Sequence, residues 1–109
     1  MRRYVIVRLQ FEAIHHWPEC PYDDVDFLRH PHRHIFHVEA KALVFHDDRD
    51  VEFIRLKRDL EEHMKVWYHG TNIGRKSCEM IGVEILNAYP GLTSVKVFED
   101  NESGAEVIR

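Results

Sequence analysis

His34-Ile35-Phe36-His37-Val38-Glu39-Ala40-Lys41-Ala42-Leu43-Val44-Phe45 is the stretch that decides the fold. Phe36, Val38, Ala40, Ala42 and Val44 alternate with the polar His37, Glu39 and Lys41. Successive side chains of a strand point to opposite faces, so this period of two presents one apolar face to a core. Upstream, Val5, Val7, Leu9, Phe11 and Ala13 alternate in the same way with Arg8, Gln10 and Glu12, which predicts a partner strand over 5–13. About 16 residues rich in Pro and Asp join the two strands, a length typical of a functional loop.

Downstream the period changes. Phe53, Leu56, Leu60, Met64 and Trp67 recur at helical spacing, with Asp50 as the expected N-cap and a stop near Tyr68-His69-Gly70. Ser77 is the expected N-cap of a second helix with Cys78, Ile81, Ile85 and Ala88 on its apolar stripe, ended by Pro90-Gly91. Ser94–Phe98 reads as a third strand. The turn-like segment 100–104 leads to a short fourth strand at 105–108. The expectation is an α+β fold in one domain, residues 1–109, with the order β-β-α-α-β-β. Its four-stranded antiparallel sheet would carry both helices on one face. The other face would be solvated or covered in an oligomer.

The composition, 44% hydrophobic and 31% charged over 109 residues, fits one globular core. No apolar run is long enough to span a bilayer, so no membrane partner is expected. The first residues run straight into strand-like sequence without a signal-like apolar region, which predicts a cytoplasmic location. A net charge of −4 and acidic clusters at Asp23/Asp24/Asp26 and Asp47/Asp48/Asp50 argue against nucleic acid as a partner. The two cysteines, Cys20 and Cys78, form no CxxC pattern and read as free thiols. Nine histidines are roughly four times the ordinary share.

Arg29-His30-Pro31-His32-Arg33-His34 concentrates that excess. On an extended chain His32 and His34 share a side, and that side is the core side of Phe36 and Val38. His15 continues the core parity of Phe11 and Ala13. Two neighbouring strands thus deliver three imidazoles from one face, a ligand set suited to a divalent ion, zinc above all, with a fourth position open. A His-x-His pair alone would read as a His-rich surface loop; it is the shared face and His15 that sharpen it. By parity His16 belongs to the other face, and His30, His37, His46 and His63 read as surface or supporting residues. Glu99 continues the parity of Val95 and Val97, so its carboxylate would emerge at the strand end. There it can accept paired N–H groups from a guanine-like or pterin-like edge, or stand as a solvated acid. Glu79, in the first turn of the second helix, complements the helix dipole.

Several of these segments together resemble the 6-pyruvoyl-tetrahydropterin synthase and 6-carboxytetrahydropterin synthase family. Phe11-Glu12-Ala13-Ile14-His15 is similar to its F-x-A-x-H, and His32-Arg33-His34-Ile35-Phe36 to its H-G-H-N-Y. Val51–Lys57 is similar to V-x-D-F-x-x-L-K, Ser77-Cys78-Glu79-Met80 to T-x-E-N, and Val97-Phe98-Glu99-Asp100 to the strand-end Y-E-T. The resemblance spans nearly the whole chain. It implies a T-fold in a ring-shaped homo-oligomer, a trimer or dimer of trimers, with sites at subunit interfaces. It also implies zinc on His15, His32 and His34 and lyase chemistry on a reduced pterin triphosphate or related purine-derived nucleotide, as in deazapurine biosynthesis. Glu99 would then anchor the heterocycle beside Cys78 and Glu79, Arg33 would add a phosphate contact or stand only as a surface charge, and His69 would move a proton. Two departures stand out. Leu28 occupies the place of the family's catalytic cysteine, with Cys20 the candidate substitute in the same loop, and Tyr68 replaces the Asp that orients the family's histidine. A non-catalytic T-fold oligomer that sequesters a pterin-like or purine-like nucleotide is the alternative expectation, and a purely structural oligomer is a third.

Overall fold

A computed structural model of the chain describes residues 1–109. β1 (Arg3–His15) and β2 (His32–Val44) pair antiparallel over their full length, with Arg3 opposite Val44 at one end and His15 opposite His32 at the other. A 3-10 helix (Asp23–Arg29) lies in the connection between them. α1 (Phe53–Trp67), β3 (Thr71–Asn72) and α2 (Cys78–Ala88) follow, then the hairpin of β4 (Leu92–Glu99) and β5 (Ser103–Ile108).

The strand order is β3-β1-β2-β4-β5 in a single sheet. The four long strands are antiparallel neighbours, as their alternation predicts. The sheet nevertheless has five strands rather than four, because Thr71–Asn72 adds a two-residue strand parallel to β1 at Ala13–Ile14. Two residues carry no readable period, so this strand is invisible to pattern analysis. The 3-10 helix makes a third helical element; its seven residues are interrupted by a non-helical Val25 (φ −129°, ψ 36°), so no helical period builds up.

Phe11, Ala13, Phe36, Val38, Ala40, Val95 and Val97 form the inner face of the sheet. Leu60 and Met64 of α1 and Ile81, Ile85 and Leu86 of α2 close over it in one continuous apolar cluster. Phe11 stacks on Phe36 at 5.2 Å and on Tyr68 at 4.9 Å between centroids. Full burial of a side chain the size of Phe36 is worth about 1.5–3 kcal/mol, so this aromatic column is a principal anchor. The outer face mixes apolar side chains such as Ile6 and Ile14 with a charge ladder: Arg8, Glu39 and Lys96 stand in register on three adjacent strands, with Arg8 Nε at 2.9 Å and Lys96 Nζ at 3.3 Å from Glu39.

Helix ends follow local competition for backbone donors. Ser77 caps α2 as expected, accepting the Met80 N–H at 3.1 Å. At α1 the cap is Glu52, which accepts the Arg55 N–H at 2.9 Å. Asp50, the expected cap, instead accepts the Phe45 N–H at 2.9 Å, which ties the preceding turn to the end of β2. No helix is long and apolar enough to cross a membrane.

Candidate metal centre and ligand cleft

The strand register assembles the site. His15 and His32 are direct cross-strand partners, and His34 pairs with Ala13 one step further on the same face. Their ring centroids lie 4.6 Å (His15–His32), 5.3 Å (His15–His34) and 4.9 Å (His32–His34) apart. Glu99 pairs with Phe36 on the other flank of β2, which brings its carboxylate to the same point. One ligand atom from each of His15, His32, His34 and Glu99 lies within 4.8 Å of all the others, so this group could hold a metal ion.

Hydrogen bonding fixes which nitrogen each ring presents. Nδ1 of His15 lies 2.8 Å from the Lys76 carbonyl oxygen, Nδ1 of His32 lies 2.8 Å from the His30 carbonyl oxygen, and Nδ1 of His34 lies 2.6 Å from Asp100 Oδ2. All three oxygens only accept, so each Nδ1 is the donor and carries the hydrogen. In the neutral rings the three Nε2 lone pairs are then free and converge. Imidazoles oriented by outer oxygen acceptors in this way are characteristic of metal ligands.

Glu99 Oε2 faces two of those lone pairs, 2.7 Å from His34 Nε2 and 3.1 Å from His15 Nε2. Two lone pairs against a carboxylate need a positive charge among them, either an extra proton or a cation. His32 Nε2 is buried with no partner at all. A buried polar atom left unpaired is costly, and coordination would satisfy it. The donor set therefore fits a divalent metal.

The ionisation of the group reflects the same demand. Burial disfavours a charged His15, but its bond to Glu99, its bond to the Lys76 carbonyl and the Glu99 charge outweigh it and raise the His15 pKa above its ordinary 6.5. The His15 bond lowers Glu99 below its ordinary 4.5 against burial, helped by the charges of His34, His15 and His32. Asp100 is lowered by the Ile35 N–H and by His34.

A cleft of about 530 Å³ opens over His15, His32 and Glu99. Trp17 and Leu28 from the β1–β2 connection and Met80 from α2 give it apolar walls, while His16 and Arg75 line it with basic groups. The first turn of α2 contributes Ser77, Cys78 and Glu79. Burial, with the charges of Glu99 and Glu79, pushes the Cys78 thiol up to about 12, so it faces the cleft as a protonated donor.

Of the residues singled out in the sequence, His15, His32, His34 and Glu99 meet at one point, and Cys78 and Glu79 line the cleft beside them. His16 also lines the cleft rather than the other face, because β1 ends at His15 and strand alternation stops with it. Arg33 turns away, its Nε 2.7 Å from Glu12 Oε1 and its Nη2 2.9 Å from Oε2, in a two-point pair on the side of β2 opposite His32 and His34. Cys20 is buried within its own loop, its sulfur directed at the Tyr22 and Val25 carbonyls at 3.7 and 4.0 Å, and is not part of the cleft wall. His69 is exposed beside β1, where its Nδ1 accepts the Glu12 N–H at 3.2 Å, and is likewise outside the cleft of its own chain.

Asp100 is the site residue that pattern reading missed. It orients His34 and also accepts the Ile35 N–H at 3.0 Å. Its signal was present in a second acid directly after Glu99 at a strand end, in a turn where Asp100 and Asn101 both have positive φ, 52° and 57°. The Lys76 and His30 acceptors are main-chain carbonyls, which no residue type announces. No protein-family model matches the chain and no curated protein is a significant relative, so the geometry of the site itself has to support the functional reading.

Proposed function

We propose that this chain is a zinc-dependent enzyme of the tetrahydropterin-synthase type, acting on a reduced pterin triphosphate or a related purine-derived nucleotide. One observation carries the reading: three imidazoles, each locked with Nε2 inward, converge with Glu99 on a single point under an open cleft. Borderline nitrogen donors with a carboxylate nearby suit zinc. Zinc bound there would act as a Lewis acid toward a substrate hydroxyl or carbonyl oxygen.

The chain's own groups supply the rest. Trp17, Leu28 and Met80 give a flat heterocycle an apolar slot. Glu99, whose carboxyl His15 holds below its ordinary 4.5, offers a carboxylate to the N–H edge of that heterocycle or takes a proton from the substrate. Arg75 and His16 face the cleft where an anionic tail would need them. Cys78 donates a hydrogen bond but, as a protonated thiol, is no nucleophile. His69 can serve only the cleft of a neighbouring copy, which accords with the interfacial sites that the family resemblance implies.

A second reading, a binding protein that holds the same ligand without converting it, has one observation in its favour. Neither Cys20 nor His69 reaches the cleft of its own chain, which leaves Glu99 as the group placed to move a proton. Incubation of the zinc-loaded protein with dihydroneopterin triphosphate separates the two. Release of triphosphate or acetaldehyde supports the enzyme, and tight binding with intact ligand supports the binding protein. Absence of zinc from metal-replete protein refutes both.

A further inference from the structure

The chain from β3 to α2 carries the carbonyl that sets the His15 tautomer, yet it is an irregular segment with a left-handed Gly74 (φ 71°). The Gly74 carbonyl accepts the His16 N–H at 2.9 Å and Ser77 caps α2, so the backbone is tied on both sides of Lys76, and the Lys76 side chain adds a further tie. Its Nζ reaches forward along α2 to Glu84 Oε2 at 2.6 Å, and Glu84 Oε1 accepts the Tyr68 hydroxyl at 3.1 Å. Glu84 lies two turns after Ser77, on the same side of α2, so a lysine just before the helix can span to it. Tyr68 itself is 1% exposed. Its ring stacks on Phe11 and Phe11 stacks on Phe36, while the edges of His15 and His34 pack on Phe36 at 5.1 and 5.9 Å.

Tyr68 is therefore tied to the imidazoles twice, once through packed rings and once through Glu84, Lys76 and the Lys76 carbonyl. We propose that Tyr68, Glu84 and Lys76 form a brace of positioning residues that holds His15 with its Nδ1 hydrogen outward and its Nε2 toward the metal. The proposal rests on the metal site described above. It assigns a role to the tyrosine that stands where the resembling family has an aspartate: the hydroxyl fixes a carboxylate, which fixes a lysine, which fixes a carbonyl. A tyrosine that only fills the core would need the ring and not the hydroxyl.

The test uses Tyr68→Phe, Glu84→Ala, Lys76→Met and, as the conservative control, Lys76→Arg. The ring-nitrogen NMR shifts of His15 in the metal-free protein, recorded at alkaline pH where the ring is neutral, report its tautomer, and cobalt(II) titration reports affinity and, through its visible bands, ligand geometry. Removing a directly bonded outer partner weakens metal binding roughly 10–100-fold, so these more distant changes should cost about threefold to tenfold. In the first three variants His15 should shift toward a tautomer mixture while His32 and His34 stay as they were, and Lys76→Arg should restore the parent values. Unchanged His15 shifts and cobalt affinity in Tyr68→Phe and Glu84→Ala would overturn the brace and leave the metal site standing. If the parent bound no cobalt the metal site itself would fail, and the His15 tautomer would still decide the brace.

Discussion

Substituting Asn for Asp100 probes the candidate metal centre without disturbing the fold around it. Asp100 accepts two hydrogens, from the Ile35 backbone on Oδ1 and from His34 Nδ1 on Oδ2. Asn has the same shape and tolerates the left-handed backbone that Asp100 adopts at φ 52°. It has only one accepting atom. With that oxygen on the Ile35 N–H, the amide NH2 faces His34 Nδ1 and favours the ring form whose hydrogen sits on Nε2. That hydrogen occupies the position a metal needs. Turning the amide over sets NH2 against the Ile35 N–H, which is no better. Loss of an outer ligand partner costs roughly 10–100-fold in metal affinity. The Asp100 side chain is 52% exposed, so water can replace part of the lost bond and the expected loss lies at the low end, about tenfold. Competition against a chromogenic zinc chelator measures it, with a melting curve in EDTA to check the fold. Asp100→Ala removes the acceptor without imposing the wrong ring form, so Asp100→Asn should bind zinc no more tightly than Asp100→Ala. Zinc affinity in Asp100→Asn equal to the parent would show that Asp100 does not set the His34 tautomer.

His32→Ala should lower zinc affinity by more than the roughly 100-fold upper range for an outer partner, while Cys20→Ser, altering a sulfur turned into its own loop, should leave it unchanged; isothermal titration of both checks the pair. Without metal, the His15–Glu99 pair should stabilise the protein most between the ordinary Glu99 value of 4.5 and the ordinary His15 value of 6.5. The His15 share is lost as pH rises through its elevated folded pKa, and the Glu99 share as pH falls through its depressed one, so melts in EDTA across that range should show a mildly acidic maximum that Glu99→Gln removes. Zinc displaces the His15 proton, so the zinc-induced rise in Tm should grow from mildly acidic to mildly alkaline pH, and a rise independent of pH would count against His15 as a ligand. Gly104→Ala would set a Cβ 1.8 Å from the Val97 carbonyl oxygen, so the β4–β5 hairpin must open; urea denaturation should show a loss of about 3 kcal/mol or complete failure to fold.

The long antiparallel strands could be read from the sequence because each repeats its period several times, and the β1–β2 register then placed His15 opposite His32. Ser77 was legible as a cap because a short hydroxyl side chain before an apolar helix has one dominant use. Asp50 misled because two backbone donors compete locally for one acid, and only the fold shows that Phe45 wins. At the site, the three imidazoles followed from parity alone. The position of Glu99 at a strand end was legible too, but its approach to His15 and His34 depends on how β4 is set against β2, which no local pattern encodes. The acceptors behind His15 and His32 are peptide carbonyls, silent in any sequence.

The connection between β1 and β2 is pinched at its neck, where the Trp17 N–H meets the Leu28 carbonyl at 2.6 Å. The residues it joins at its base, His15 and His32, are already held opposite each other by the ladder. Segments grafted distal to that neck can therefore vary in length and sequence without dislodging the imidazoles. Trp17 and Leu28, which wall the cleft, are the neck itself, so substituting them reshapes the cleft while the ladder keeps the imidazoles opposite each other. On the proposed function, selectivity for a guest molecule and affinity for a cation would in this way be separable traits, open to divergence or redesign one at a time.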